Sequence, residues 1–365
     1  MTDPRPLIVP RPEVLHAPST QHGALDFSEL ERLGLEPDSV LDFSVNSNPF
    51  GPSPKVREAL QSVPLDRYPD REALALRRTL TERLNVSLDQ IVVGNGTAEL
   101  LGLIALAYIH PGDQVLIIGP TFDEYARAAA LMGAEVTFWI AQVHDDFAVD
   151  PPAILALLNQ LTPRLVFCCN PNNPTGTIIA PAVIRDWAVQ HPHTLFVIDE
   201  AYLNFALGTD SALKIGADNI LVLRSMTKDY ALAGLRLGYA VGPQFIIDAL
   251  ARVRPPWNVN ALAQAAGVAA LMDNTYYDDS LRWLGQAKID FLKGLHELGL
   301  EPLASGVHFF LVPVGNGVQF RETLLHKHIQ VRDCTSFGLP TLVRIATRRS
   351  ADNTRFLAAY REVKR

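Results

Sequence analysis

The sequence predicts an α/β protein in which a large domain, built on a mostly parallel, doubly wound sheet, stands beside a smaller α+β domain. Three features predict it. Between 68 and 257, short continuous apolar runs alternate with amphipathic stretches, as strands do when crossover helices bury them on both faces. After 257 the pattern changes to a long helical region followed by strands and helices in turn. The 365 residues, 48% hydrophobic and 19% charged, are enough for one large core and a smaller one.

Taken in order, residues 1–20 are rich in proline, which has no N–H to give to a helix or ladder, and read as an extended arm. Residues 21–67, and 41–64 above all, hold too little apolar sequence to fold alone, so they are assigned with 258–365 to the small domain. Residues 68–257 form the large domain. Its strands are QVLIIG (114–119), EVTFWI (135–140), RLVFCC (164–169), TLFVID (194–199) and NILVLRS (219–225), with helices over 97–109, 123–132 and 181–190. Beyond 257 the helical region breaks near Asn274. HFFLVPV (308–314), IQVRD (329–333) and LVRIAT (342–347) then read as strands, with helices at 317–327 and 350–363. There is no internal repeat.

Charge and cysteine content exclude several function classes. A net charge of -7 without any Lys/Arg run argues against nucleic acid or an anionic membrane as partner. Cys168, Cys169 and Cys334 lack metal-type spacing and read as small core residues, so no metal site is expected. The opening MTDPRPLIVPRPEV lacks the continuous apolar core of a signal peptide, and the apolar stretch 100–109 is too short to span a bilayer. A cytoplasmic protein is expected.

In a doubly wound sheet ligands bind beyond the carboxyl ends of the strands, and here those ends are polar. GNGTAE (94–99) opens a helix with two glycines, which lets the backbone N–H groups of Gly96, Thr97 and Ala98 approach a phosphate. In TLFVIDEAY an apolar strand ends in Asp199 and Glu200; a Walker-B reading needs a GxxxxGK[ST] loop, which is absent, while a structural ion pair stays open as an alternative. RSMTKDYALAGLRLGY (224–239) sets Ser225, Thr227 and Lys228 on one loop with Arg236 eight residues on, a donor-rich cradle suited to a phosphate dianion. CCNPNNPTG (168–176) adds Asn172 and Asn173 in a turn.

Together Asn173, Asp199, Tyr202, Lys228 and Arg236, in this order and spacing, resemble the fold-type I pyridoxal 5'-phosphate enzymes of aminotransferase class I/II, over nearly the whole chain. The resemblance implies an aspartate-aminotransferase-like fold and a Schiff base between Lys228 and the cofactor. It implies that Asp199 keeps the pyridine nitrogen protonated, so that the ring stays an electron sink, and that Asn173 and Tyr202 hydrogen-bond the phenolic oxygen. Phe122, in PTFDEY, matches the aromatic that stacks on the ring. Ser225, Thr227, Arg236 and the turn at Gly96, Thr97 and Ala98 match the phosphate site. Tyr68, in DRYPD, resembles a tyrosine that reaches the neighbouring subunit's cofactor, which implies a homodimer with shared sites.

Two relatives share all these residues: histidinol-phosphate aminotransferase and L-threonine-O-3-phosphate decarboxylase. LDFSVNSNPFG (41–51) with its Asn48, the pair His22-Gly23, RSMTK, PPWNVNALA (255–263) and VRDCTSFGL (331–339) resemble the decarboxylase. GLPTLVRIAT (338–347) resembles the aminotransferase. The balance of motifs leans toward the decarboxylase. In both families the arginine matching Arg344 grips the substrate, and Arg332 is a candidate for a second anionic group, such as a phosphate; a surface strand residue is its other reading. Arg344, Arg332, His22 and Asn48 are thus the expected contacts of a phosphorylated amino acid or amine. A non-catalytic cofactor-sensing regulator is a remote third reading, since such proteins carry a DNA-binding domain for which the first 67 residues leave no room.

Overall fold

The computed structural model describes residues 8–20 and 22–364. Its strands in chain order are β1 (Leu41–Asp42), β2 (Ile91–Gly94), β3 (Gln114–Gly119), β4 (Glu135–Ile140), β5 (Leu165–Cys169) and β6 (Leu195–Asp199). They continue with β7 (Ile220–Ser225), β8 (Gly238–Val241), β9 (Phe309–Pro313), β10 (Ile329–Gln330), β11 (Arg332–Asp333) and β12 (Leu342–Ala346). Seven form one sheet in the order β2-β8-β7-β6-β5-β3-β4. All pairings in it are parallel except those of β8, which runs antiparallel to both β2 and β7.

The apolar runs are strands because both faces are covered: every residue of β5, β6 and β7 is buried. Leu100, Ile104 and Tyr125 pack with Phe167 and Val197 on one side. Ile154, Ile184 and Trp187 pack with Val166 and Phe196 on the other. The chain order reverses after β4, so β3 and β5 are neighbours and the loops after β3, β5, β6 and β7 open on the same edge. The sequence pattern misses β2 and β8, four residues each, too short to show a period.

Downstream, the helices Ala261–Leu271 and Asn274–Glu297 meet at the expected break. β9, β11 and β12 form an antiparallel sheet, and β1 pairs in parallel with β10. The single strand expected over 329–333 is therefore corrected to two short pieces that pair on either side of Val331. Phe43, Phe291, Phe310 and Phe356 centre the core of this region. The helix Pro54–Leu60 packs instead, through Val56, with Ala263 and Ala266 in a cluster that includes Ile91 and Val93 of the seven-stranded sheet.

The arm expected over 1–20 lies partly outside the described residues, in 1–7, as does Gln21 at the expected start of the small domain. The rest of the arm is not wholly extended: Pro12–Leu15 form one helical turn, and the Arg11 guanidinium donates to the Leu131 carbonyl at 3.2 Å. No helix among the described residues is long and apolar enough to cross a membrane. All three cysteines are buried and free.

Candidate active site

A cavity of about 530 Å³ opens where the loops of the large sheet meet β11 and β12. Lys228, on the loop after β7, lines it with Asn173 from the loop after β5, Tyr202 from the loop after β6, and Phe122 from the loop after β3. Ala98, Arg236, Arg332, Arg344 and His22 complete the expected residues on its wall. Phe122, Asn173, Tyr202 and Lys228 converge because the parallel strands β3, β5, β6 and β7 deliver their carboxyl ends to one edge.

Lys228 is held from behind by main-chain contacts: its carbonyl accepts from the Asn48 N–H at 2.8 Å, and the Thr227 carbonyl accepts from the Ser47 hydroxyl at 3.3 Å. Asn48 is thus corrected from a substrate contact to a buried support of this loop. Its amide donates to the Asp229 carbonyl at 3.0 Å and to Ser280 Oγ at 2.8 Å, away from the cavity. Two residues earlier, Asn46 is the asparagine on the cavity wall. Burial, with the neighbouring Arg344 and Arg236 charges, lowers the Lys228 amine to about 8, against the pull of Asp199 in the other direction.

The adjacent acids Asp199, the last residue of β6, and Glu200, just past it, have separate partners. Asp199 accepts from the Tyr125 hydroxyl at 2.8 Å and the Ala201 N–H at 3.0 Å. Burial raises its pKa, while these hydrogen bonds and the Lys228 charge oppose the rise. Glu200 takes the structural role: it pairs with the Arg224 guanidinium at 2.8 Å and accepts from Ser211 and the Ala212 N–H.

The phosphate-type cradle is built from three elements. Gly96 has φ +78° at the head of the helix Gly96–Tyr108, and a Cβ there would stand 2.9 Å from Arg236 Nη2, so only glycine lets the guanidinium approach this backbone. A Cβ on Gly238 would meet the Thr97 N–H at 2.9 Å. Ser225 and Thr227, both buried, face each other with their hydroxyls 2.6 Å apart. A hydroxyl pair, helix-start N–H groups and a guanidinium at one place are the donor set of an anion site.

On the opposite wall Arg332 and Arg344 stand directly across from each other in the β11–β12 register, and both are buried. Arg344 donates to Asn173 Oδ1 and to the Ser44 carbonyl. Arg332 donates to Ser336 Oγ at 2.6 Å and lies 3.6 Å from Asp333. The surface reading of Arg332 is thereby set aside. At the rim, Glu124 accepts from Thr20 Oγ1 at 2.8 Å and lies 3.0 Å from His22 Nε2, tying the N-terminal segment over Phe122. Gly23 lies so close that a Cβ would be 2.4 Å from the Ser44 carbonyl oxygen.

Tyr68 is not in this cavity. It is 77% exposed and stacks on Trp257 at 4.5 Å between centroids, beside a separate groove. Sequence reasoning did not find Ser44, Val45, Asn46, Glu124, Arg127 and Phe337, which also line the cavity. Glu124 and Arg127 carried a signal, as charges just past an apolar strand end; the others did not. Among the described residues no cluster of His, Cys, Asp or Glu is arranged to hold a metal ion.

Residues 38–359 match the family model of aminotransferase class I and II. The chain is 39% identical over 349 residues to a histidinol-phosphate aminotransferase 2 of Pseudomonas fluorescens, covering 92% of each chain. Among solved structures, the histidinol-phosphate aminotransferase of Sinorhizobium meliloti in complex with pyridoxal-5'-phosphate superposes with TM-score 0.86 at 25% identity, covering 96% of each chain. The L-threonine-O-3-phosphate decarboxylase of Porphyromonas gingivalis matches with TM-score 0.77 at 29% identity, over 88% of this chain and 98% of that one. The lean toward the decarboxylase is therefore corrected in favour of the aminotransferase reading. One residue of the motifs behind it, Asn48, is a buried support of the Lys228 loop.

Proposed function

The chain belongs to aminotransferase class I and II, and from that membership we propose that it is a pyridoxal 5'-phosphate-dependent transaminase that moves an amino group between a phosphorylated amine of the histidinol phosphate kind and 2-oxoglutarate. The observation that carries the reading is the opposed pair Arg332 and Arg344 on the wall facing Lys228. Like charges directly across a sheet repel, and a bound anion between them removes that cost. Both substrates of such a transaminase are anionic, one through a phosphate and the other through two carboxylates, so one arginine pair serves each in turn.

The cradle, the strand-end acid and the low-pKa lysine fit pyridoxal 5'-phosphate. Ser225, Thr227, Arg236 and the N–H groups of Thr97 and Ala98 would hold its phosphate, Asp199 its ring nitrogen, and Asn173 and Tyr202 its phenolic oxygen, with Phe122 stacked on the ring. When bound, the cofactor supplies an electron sink for a breaking bond at the amine-bearing carbon. Asp199 is poised for its partner by Tyr125 and the Ala201 N–H. Asn173 gives its oxygen to Arg344, so its amide N–H is left to face the cofactor and the substrate's anchor is coupled to the cofactor's. Lys228, with its amine lowered to about 8, is about a tenth free base at pH 7, far more than an ordinary lysine, and moves a proton at that carbon. His22 and Gly23 close the rim and limit water. We further propose that the active unit is a homodimer, in which Tyr68 reaches the partner's cavity.

The protein is incubated separately with histidinol phosphate plus 2-oxoglutarate and with L-threonine O-3-phosphate, and glutamate and CO₂ are assayed. Glutamate from the first mixture without CO₂ from the second is expected. CO₂ release would restore the decarboxylase reading, and neither product would mean that the substrate class is wrong.

A further inference from the structure

Near Tyr202 are two buried polar side chains with no role in the account above, Asn46 on the cavity wall and His308 behind it. Asn46 is 2% exposed and His308 is 3% exposed. Both atoms of the Asn46 amide and both ring nitrogens of His308 are without a hydrogen-bond partner among the described residues. The amide faces the Tyr202 hydroxyl, and the imidazole faces the Asn46 backbone. The His308 ring packs on Phe205, 3.9 Å between centroids, and edge-on to Phe309, whose ring also meets Tyr202 at 4.9 Å. Tyr202, Asn46 and His308 therefore form a short polar column walled by two phenylalanines. Burial and the charges of Lys288, Arg344 and Lys228 lower the imidazole to about 3, so it stays neutral.

Buried groups in native proteins seldom stay unpaired, because each carries its full desolvation penalty. The groups facing Tyr202 narrow the choice of partner. Arg344 is committed to Asn173 and Ser44, Asp199 to Tyr125 and Ala201, and the Cys169 thiol to the Pro171 carbonyl at 3.2 Å. Lys228, 5.9 Å from the Tyr202 ring centroid, is the proposed cofactor-bearing amine. Asn46 is the neutral donor that remains.

We propose that Asn46 is a positioning residue for Tyr202: its Nδ2 donates to the phenolic oxygen and turns the phenol's own proton toward the Lys228 side of the cavity, with neutral His308 supporting the segment from behind. A phenol that accepts a hydrogen bond becomes a stronger donor without any added charge. The inference rests on the reading of Lys228 as the cofactor lysine.

With pyridoxal 5'-phosphate bound, the visible band titrates as the lysine–cofactor link loses its proton, and a phenol donating to the cofactor lowers that midpoint. Asn46→Ala is expected to raise the midpoint by about half to one pH unit. Asn46→Leu, of similar size but uncharged and without a donor, should move it the same way and serves if the alanine variant does not fold. In a Tyr202→Phe background neither change should shift it further, because the group they act through is gone. A shift of equal size with and without the Tyr202 hydroxyl, or none in either background, overturns the proposal. A wild-type visible band that does not change with pH overturns the proposal, whereas a wild-type protein that forms no visible band at all overturns the reading of Lys228 itself, and this inference with it.

Discussion

Burial acts in opposite directions on the two titratable residues nearest the chemistry: it lowers the Lys228 amine to about 8 and raises the Asp199 carboxyl. A lysine with a lowered pKa is free base over a wider range, so the rate at which cofactor-free protein captures pyridoxal 5'-phosphate should climb with pH and level off near 8. A solvated lysine would level off near 10.5. Stopped-flow growth of the visible band checks this, and Arg344→Gln should move the plateau to higher pH by removing a positive neighbour. Asp199 has the complementary task of pairing with a cationic ring nitrogen, which a neutral amide cannot do. Asp199→Asn should leave the cofactor bound by its phosphate cradle and lower kcat by roughly 10²-fold with little change in KM. Steady-state kinetics on the yellow, loaded variant test it; unchanged turnover would make the acid structural, as Glu200 already is.

Strands and the segments laid across them decide which of these groups meet. The β11–β12 register sets Arg332 opposite Arg344, and a one-residue slip would send one guanidinium to the other face. The N-terminal segment depends on a single small residue: with Ser44 O only 2.4 Å from the position a Gly23 Cβ would take, no other residue lets it lie this close to Arg344. Gly23→Val should push the rim away and raise KM for both substrates by roughly 10- to 100-fold through lost alignment. The melting temperature should stay within about 2 °C, because the segment is not part of either core. Kinetics and a thermal melt decide it; a KM at the wild-type value would show that the rim does not shape the site.

The whole molecule has one expected site residue in the wrong place for a single chain. Tyr68 is exposed, stacked on a half-exposed Trp257 and outside its own cavity, which suits a side chain that completes a neighbour's site. Mixing Tyr68→Ala and Lys228→Ala chains, each inactive, should restore activity in heterodimers, where one site keeps both an intact lysine and an intact tyrosine. Verified heterodimers without activity would place Tyr68 in its own subunit's site or in none.

By itself the sequence determined the α/β class, the buried strands and the strand-end residues Asn173, Asp199, Tyr202 and Lys228. Those signals are local: unbroken apolar runs mark strands covered on both faces, and the polar residues that follow each run must emerge at its carboxyl end. The opposed arginines, the choice of Asn46 over Asn48 for the cavity, the turn of Glu200 toward Arg224 and the absence of Tyr68 from its own site were decided only by the tertiary structure. Asn46 and Asn48 sit two positions apart in the same motif, and no spacing rule separates them. What does so is that Asn48 meets Asp229 and Ser280 while Asn46 lines the cavity. Register and packing between segments hundreds of residues apart set such partners, and no local pattern encodes them.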